Sequence, residues 1–148
     1  MNYTRILLGG LLAGVVINLS EFLLNGVVLM DAMEAELELM DAAFAPWAMP
    51  FYVVMAFLWG IAMVWLYAAI RPRFGPGWRT AVMVGVFFWV FVTVLPTFAN
   101  MAMGIAMEGL VGIGLIWTLV ELPAAAVVGS WLYQEGVGVG VGTGRARV

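Results

Sequence analysis

The chain has no cysteine, no histidine and no lysine. Without cysteine there is no disulfide to build and no thiolate to attack a substrate or hold a metal. Without histidine there is no Ser–His triad, no His-ligated haem or zinc and no Glu-x-x-His di-iron site, and without lysine there is no Schiff base. Any catalysis would fall to Glu, Asp, Tyr or Arg. Charge of either sign is also scarce, at 10% of residues against about 25% in a soluble domain. Six basic and nine acidic residues give a net charge of −3, and no basic patch suits nucleic acid.

Apolar residues fill the space, at 65% of the chain against roughly 45–50% in soluble domains. A water-soluble fold cannot hide so much apolar surface. Four runs, residues 6–29, 51–70, 80–100 and 110–132, are each long enough as α-helices to cross roughly 30 Å of hydrocarbon at about 1.5 Å per residue. The expected fold is an all-α membrane protein, a four-helix transmembrane bundle formed by residues 1–135. Pro and Gly mark the connections, as in Arg71-Pro-Arg-Phe-Gly-Pro-Gly-Trp-Arg79. Around residues 31–45, Met30, Met33, Leu37, Met40 and Phe44 recur every three or four positions, which predicts an amphipathic segment at the outer surface. It reads as a covering lid, or as an acidic funnel for cations.

Arginine placement predicts orientation, because basic loops near membrane spans stay cytoplasmic. Arg5, then Arg71, Arg73 and Arg79, then Arg145 and Arg147 all fall on one side, whereas Asp31, Glu34, Glu36, Glu38, Asp41 and Glu108 fall on the other. The N-terminus, the middle loop and the C-terminus are therefore expected inside, in a bacterial-type inner membrane. A cleaved signal peptide is the competing reading of the first span, but the run is longer than such an apolar core and contains Asn18 and Glu21. The alternating glycines of 136–148 lack phosphate-loop spacing and predict a flexible cytoplasmic tail.

Polar residues inside the spans carry the functional information, since a charge at the bilayer centre costs from about 2.5 to more than 10 kcal/mol. Gly14, Asn18, Glu21 and Asn25 share one stripe of the first helix, and Gly114, Thr118, Glu121 and Ala125 repeat that spacing on the fourth. Counted from the outer ends, the two glutamates lie roughly 12 and 16 Å deep, so they can meet. Thr93, Thr97 and Asn100 form a similar stripe on the third span, interrupted by Pro96, which frees backbone carbonyls. The expected site is a polar pocket of Glu21, Glu121, Asn18, Asn25, Thr118, Thr97 and Asn100. Two carboxyls in a low dielectric cannot both ionise cheaply, so one should hold a proton, or the pair should share a proton or bind a cation. The plainer reading is interhelical glue, worth about 0.6 kcal/mol per contact.

Other patterns yield no site. Met30, Met33, Met40, Met49, Met101, Met103 and Met107 gather near the outer face, where thioethers would select Cu(I); gap-filling is their ordinary use, and no metal, cofactor or catalytic residue is assigned. Trp47, Tyr52, Trp65, Tyr67, Trp78, Trp131 and Tyr133 lie near span ends and read as interfacial anchors. Gly10-Leu-Leu-Ala-Gly14 permits close helix contact.

Asn18-Leu-Ser-Glu21-Phe, the stretch from Trp65 to Gly77, Glu121-Leu-Pro and Trp131-Leu-Tyr133 resemble an uncharacterised bacterial family of four-span membrane proteins, a likeness over nearly the whole chain that implies a fold but no activity. In architecture alone, four short spans with a glutamate in the first are similar to small multidrug-resistance transporters, from which the second glutamate departs. Three functions stay open: a small transporter or ligand-binding protein with a carboxyl pocket for a proton, cation or small polar ligand; a non-catalytic accessory subunit of a larger membrane complex; and a membrane enzyme acting on a lipid-like substrate. Lipid is the expected surrounding, with a homo-oligomer or larger complex as the assembly.

Overall fold

The computed structural model describes residues 1–133; the expected tail, 136–148, lies outside them. Among the described residues every regular element is helical, because backbone N–H and C=O groups in hydrocarbon must be satisfied within their own segment. Four helices are long and apolar enough to span a bilayer: α1 (Tyr3–Val28), α3 (Ala48–Phe74), α4 (Trp78–Ala102) and α5 (Glu108–Trp131). Between the first two lies the short helix α2 (Met30–Leu39). The all-α four-span architecture is the one the hydropathy pattern predicts.

Helix ends follow local chemistry. Asn2 caps α1 by accepting from the Arg5 N–H at 3.1 Å. Gly75 and Gly77, at φ +86° and +125°, turn the chain between α3 and α4 as only glycine does readily. That turn is bound on both sides: the Thr80 hydroxyl donates to the Gly75 carbonyl at 2.8 Å, and the Tyr67 hydroxyl accepts the Gly77 N–H at 3.0 Å. Two spans change winding part-way, α1 at Leu24–Val28 and α4 at Trp89–Val94, where single turns are π-helical. Pro96 follows the second of these as the second residue of the resumed α-helix, so the wider turn absorbs the break that proline forces.

Helix α1 packs between α3 and α5, α4 packs on α5, and α3 touches α4 to complete a four-membered ring. Glycine sets these crossings. A Cβ added to Gly60 on α3 would lie 2.3 Å from the Gly10 carbonyl oxygen of α1, one on Gly129 of α5 2.7 Å from the Gly9 oxygen, and one on Gly85 of α4 2.3 Å from the Cα of Pro123 in α5. Without a hydrophobic effect between helices in lipid, such close backbone approach is a main source of attraction.

The core lies toward the arginine-bearing end. Buried residues run from Ala56 to Ala68 on α3, from Thr80 to Gly85 on α4 and from Thr118 to Ser130 on α5. Toward the acidic end the packing loosens, and Gly112 and Gly114 face space with nothing within 4 Å of an added Cβ. The segment Leu95–Ala102 packs chiefly on its own preceding turn. Helix α2 rests on the π-turn of α1 and reaches the start of α5. It turns Met33, Glu36 and Leu37 inward while Asp31, Glu34 and Glu38 stay exposed, but Met30, Met40 and Phe44, expected on the apolar stripe, are exposed as well.

Two expected anchors are not at the lipid interface. Tyr67 and Tyr133 are buried and meet edge to face at 6.1 Å, with the Arg71 guanidinium 5.7 Å from the Tyr133 ring. Tyr67 is held inside by the bond to Gly77 just described, whereas Trp47, Trp65, Trp78 and Trp131 are exposed.

Candidate functional site

Polar residues of α1 and α5 converge where the tight half of the bundle gives way to the loose half. Asn18 and Glu21 share a stripe because they stand three residues apart on a helix, and Asn25 continues it into the π-turn. Opposite, Thr118 and Glu121 repeat the spacing on α5. Glu121 is only 5% exposed, and Glu21 is half-buried.

The two carboxyls face each other across the α1–α5 contact, close enough to interact. The Asn25 amide donates to Oε2 of Glu21. Among the described residues Oε2 of Glu121 is buried and has no hydrogen-bond partner. An unsatisfied buried acceptor costs about 1–3 kcal/mol, more when charged.

Beside Glu121 stand two groups that the sequence patterns did not single out. Trp117 donates its indole N–H to Ser20 Oγ at 2.8 Å, a side-chain bond between α5 and α1. Both residues flank the Glu121 carboxyl. Ser20, having accepted from Trp117, keeps its own hydroxyl proton to give. The available signals were spacing: Trp117 precedes Glu121 by one helical turn, and Ser20 adjoins Glu21.

The remaining expected members divide. Asn18 belongs to packing, since its amide donates to the Gly14 carbonyl at 2.9 Å and, across to α3, to the Val53 carbonyl at 3.3 Å. Thr118 is buried beside the pair but turns its hydroxyl onto its own helix, at 2.8 Å from the Gly114 oxygen. The structure does not bring Thr97 and Asn100 into hydrogen bonds with the pair. Both lie on the loosely packed end of α4, Asn100 is exposed, and the π-turn before them re-aims that segment. Gly114 makes no close helix contact.

Chemically, the site offers carboxyl oxygens, a hydroxyl and an amide. No three His, Cys, Asp or Glu side chains gather to hold a metal ion among the described residues. No family model, no curated protein and no solved structure matches the chain.

Proposed function

We propose that this multi-span membrane protein works through its buried carboxyl pair, taking up a proton, a cation or a small polar ligand between Glu21 and Glu121, as a small transporter would. The observation that carries this reading is the unpartnered Oε2 of Glu121, buried between spans next to a second carboxyl. Interhelical bonds in membranes average about 0.6 kcal/mol, too little to offset a buried acid left incompletely satisfied. The loosely packed acidic end lies just beyond the pair, so a ligand reaches it without parting the glycine contacts beneath.

In the cell the arginine-bearing end faces the cytoplasm of a bacterial-type inner membrane, as the positive-inside rule directs, and the chain works as a homo-oligomer or within a larger membrane complex. The resemblance to four-span bacterial membrane proteins fits this setting.

Glu21→Gln and Glu121→Gln test the reading in protein reconstituted in lipid vesicles. Each should abolish ligand uptake or proton coupling while the helical circular dichroism and the monodisperse elution persist. Unchanged activity in both variants would refute it.

One observation favours an accessory role instead: the Leu95–Ala102 end of α4 finds little of its own chain to pack against, and a partner helix would cover it. Intact-complex mass spectrometry from native membranes separates the two, since stoichiometric foreign subunits support the accessory role and a bound small molecule supports the pocket.

A further inference from the structure

Resting on the carboxyl-pocket reading, we infer that α2 is a lid over the outer mouth of the pocket, latched shut by Glu36, whose carboxyl occupies the space that a side chain at position 109 of α5 would fill. The inward stripe of α2 contains a misfit. It runs Met33, Glu36 and Leu37, while the other acids of the helix, Asp31, Glu34 and Glu38, are all exposed. Water is within reach of this helix, so an acid on its inward side needs a seat there.

The seat is the start of α5. A Cβ added to Gly109 would lie 2.5 Å from Oε1 of Glu36 and 3.7 Å from its Cδ, so the carboxyl rests against bare backbone, and only glycine leaves it room. Met107 provides no side-chain cap for α5, which leaves the positive end of the helix dipole open to a carboxylate. Glu108, in the same first turn, is exposed.

Apart from this contact α2 is built to swing as one piece. It leaves α1 at Leu29, directly after the π-turn, where the backbone departs from helical values at φ −107° and ψ 3°. At its other end the Ala42 N–H reaches back to the Leu37 carbonyl at 3.0 Å and the Asp41 N–H to the Glu38 carbonyl at 3.2 Å. This Schellman closure places Asp41 at φ +49°, the one non-glycine in the left-handed region among the described residues. Residues 42–45 beyond it are irregular and exposed. One end of α2 is thus a bend and the other a slack connection, and the Glu36 seat on α5 holds the helix down. Beneath it Leu24 and Leu29 are buried, apart from the main core. Asn25 stands between them and bonds Glu21, so the lid closes over the approach to the pair.

The test places the full-length, cysteine-free chain in lipid nanodiscs with one reporter, Asn25→Cys, and times its reaction with a charged, water-soluble methanethiosulfonate. Gly109→Ala evicts the carboxyl from its seat, and because the displaced atoms are the end of a flexible side chain the helices stay in place. Glu36→Gln removes the charge instead. Each should speed the reaction about two- to fivefold, the change in opening that a carboxylate at a helix N-terminus commands. Gly112→Ala, whose added Cβ meets nothing within 4 Å, should leave the rate unchanged. Rates in Gly109→Ala and Glu36→Gln equal to that of the reporter alone would overturn the latch. The same variants with Asn25 restored are then treated with a water-soluble carbodiimide and glycine ethyl ester, and amide formation at Glu21 and Glu121 is mapped by mass spectrometry. It should rise in step with the thiol rate. Amide formation that stays constant while the thiol rate rises would show that the lid does not guard the pair, overturning the inference and leaving the pocket standing. Glutamates that stay unreactive in every variant, with the thiol rate raised, would sink the pocket reading and leave the latch.

Discussion

Replacing Gly60 by alanine should loosen the bundle at its tightest crossing. The added methyl carbon would lie 2.3 Å from the Gly10 carbonyl oxygen and 2.6 Å from the Gly14 nitrogen, whereas comfortable contacts lie at about 3.5–4.0 Å. Both obstacles are main chain, so relief comes only by moving α1 and α3 apart by about 1 Å. Overpacking of this kind costs about 1–3 kcal/mol, and alanine returns at most about 1 kcal/mol of helix propensity. The balance is a loss of up to about 2 kcal/mol. Gly112→Ala is the matched control, because nothing lies within 4 Å of its added Cβ; it should be neutral or stabilising by up to about 1 kcal/mol. The assay is reversible unfolding in mixed micelles, read by tryptophan fluorescence, with all three proteins in one detergent series. Equal stability of Gly60→Ala and Gly112→Ala would refute the claim that backbone contact through glycine holds these helices.

Two further outcomes can be checked with simple variants. The natural absence of cysteine permits single-cysteine labelling: Glu38→Cys should react with an impermeant maleimide from outside intact cells and Arg73→Cys only after lysis, and the reverse pattern would invert the orientation. Asn18→Leu removes the amide that reaches the Val53 carbonyl of α3, and it should cost stability by about 0.6 kcal/mol without changing ligand uptake, since Asn18 serves packing rather than the carboxyl pair.

The spans were legible because hydrocarbon imposes one length and one composition on every crossing segment, and the α1–α5 encounter was legible because equal spacing puts Glu21 and Glu121 on matching faces. Thr97 and Asn100 were misplaced by the same logic. A stripe argument assumes a regular helix, and the π-turn at Trp89–Val94 shifts the register of everything beyond it. Tyr67 and Tyr133 misled for a related reason: their position at span ends says interface, but the side-chain bond to Gly77 and the ring contact at the arginine-bearing end are tertiary facts. The Ser20–Trp117 bond joins residues 97 positions apart, a pairing that no local period encodes.

That separation also has a consequence in time. Synthesis proceeds at about 5–20 residues per second, so Ser20 and Glu21 enter the membrane about 5–20 s before Trp117 and Glu121 exist to meet them. Throughout that interval the first helix carries an acid and two amides with no partner from the last. Gly10 and Gly14 meet Gly60 as soon as α3 arrives, so an α1–α3 hairpin can hold while the acid waits, whereas Gly9 must await Gly129 near the end of the chain. The carboxyl site is thus completed last, and a ribosome stalled before α5 would leave in the bilayer a hairpin whose Glu21 has only Asn25 of its own helix for company, the kind of exposed polar span that membrane quality control can recognise.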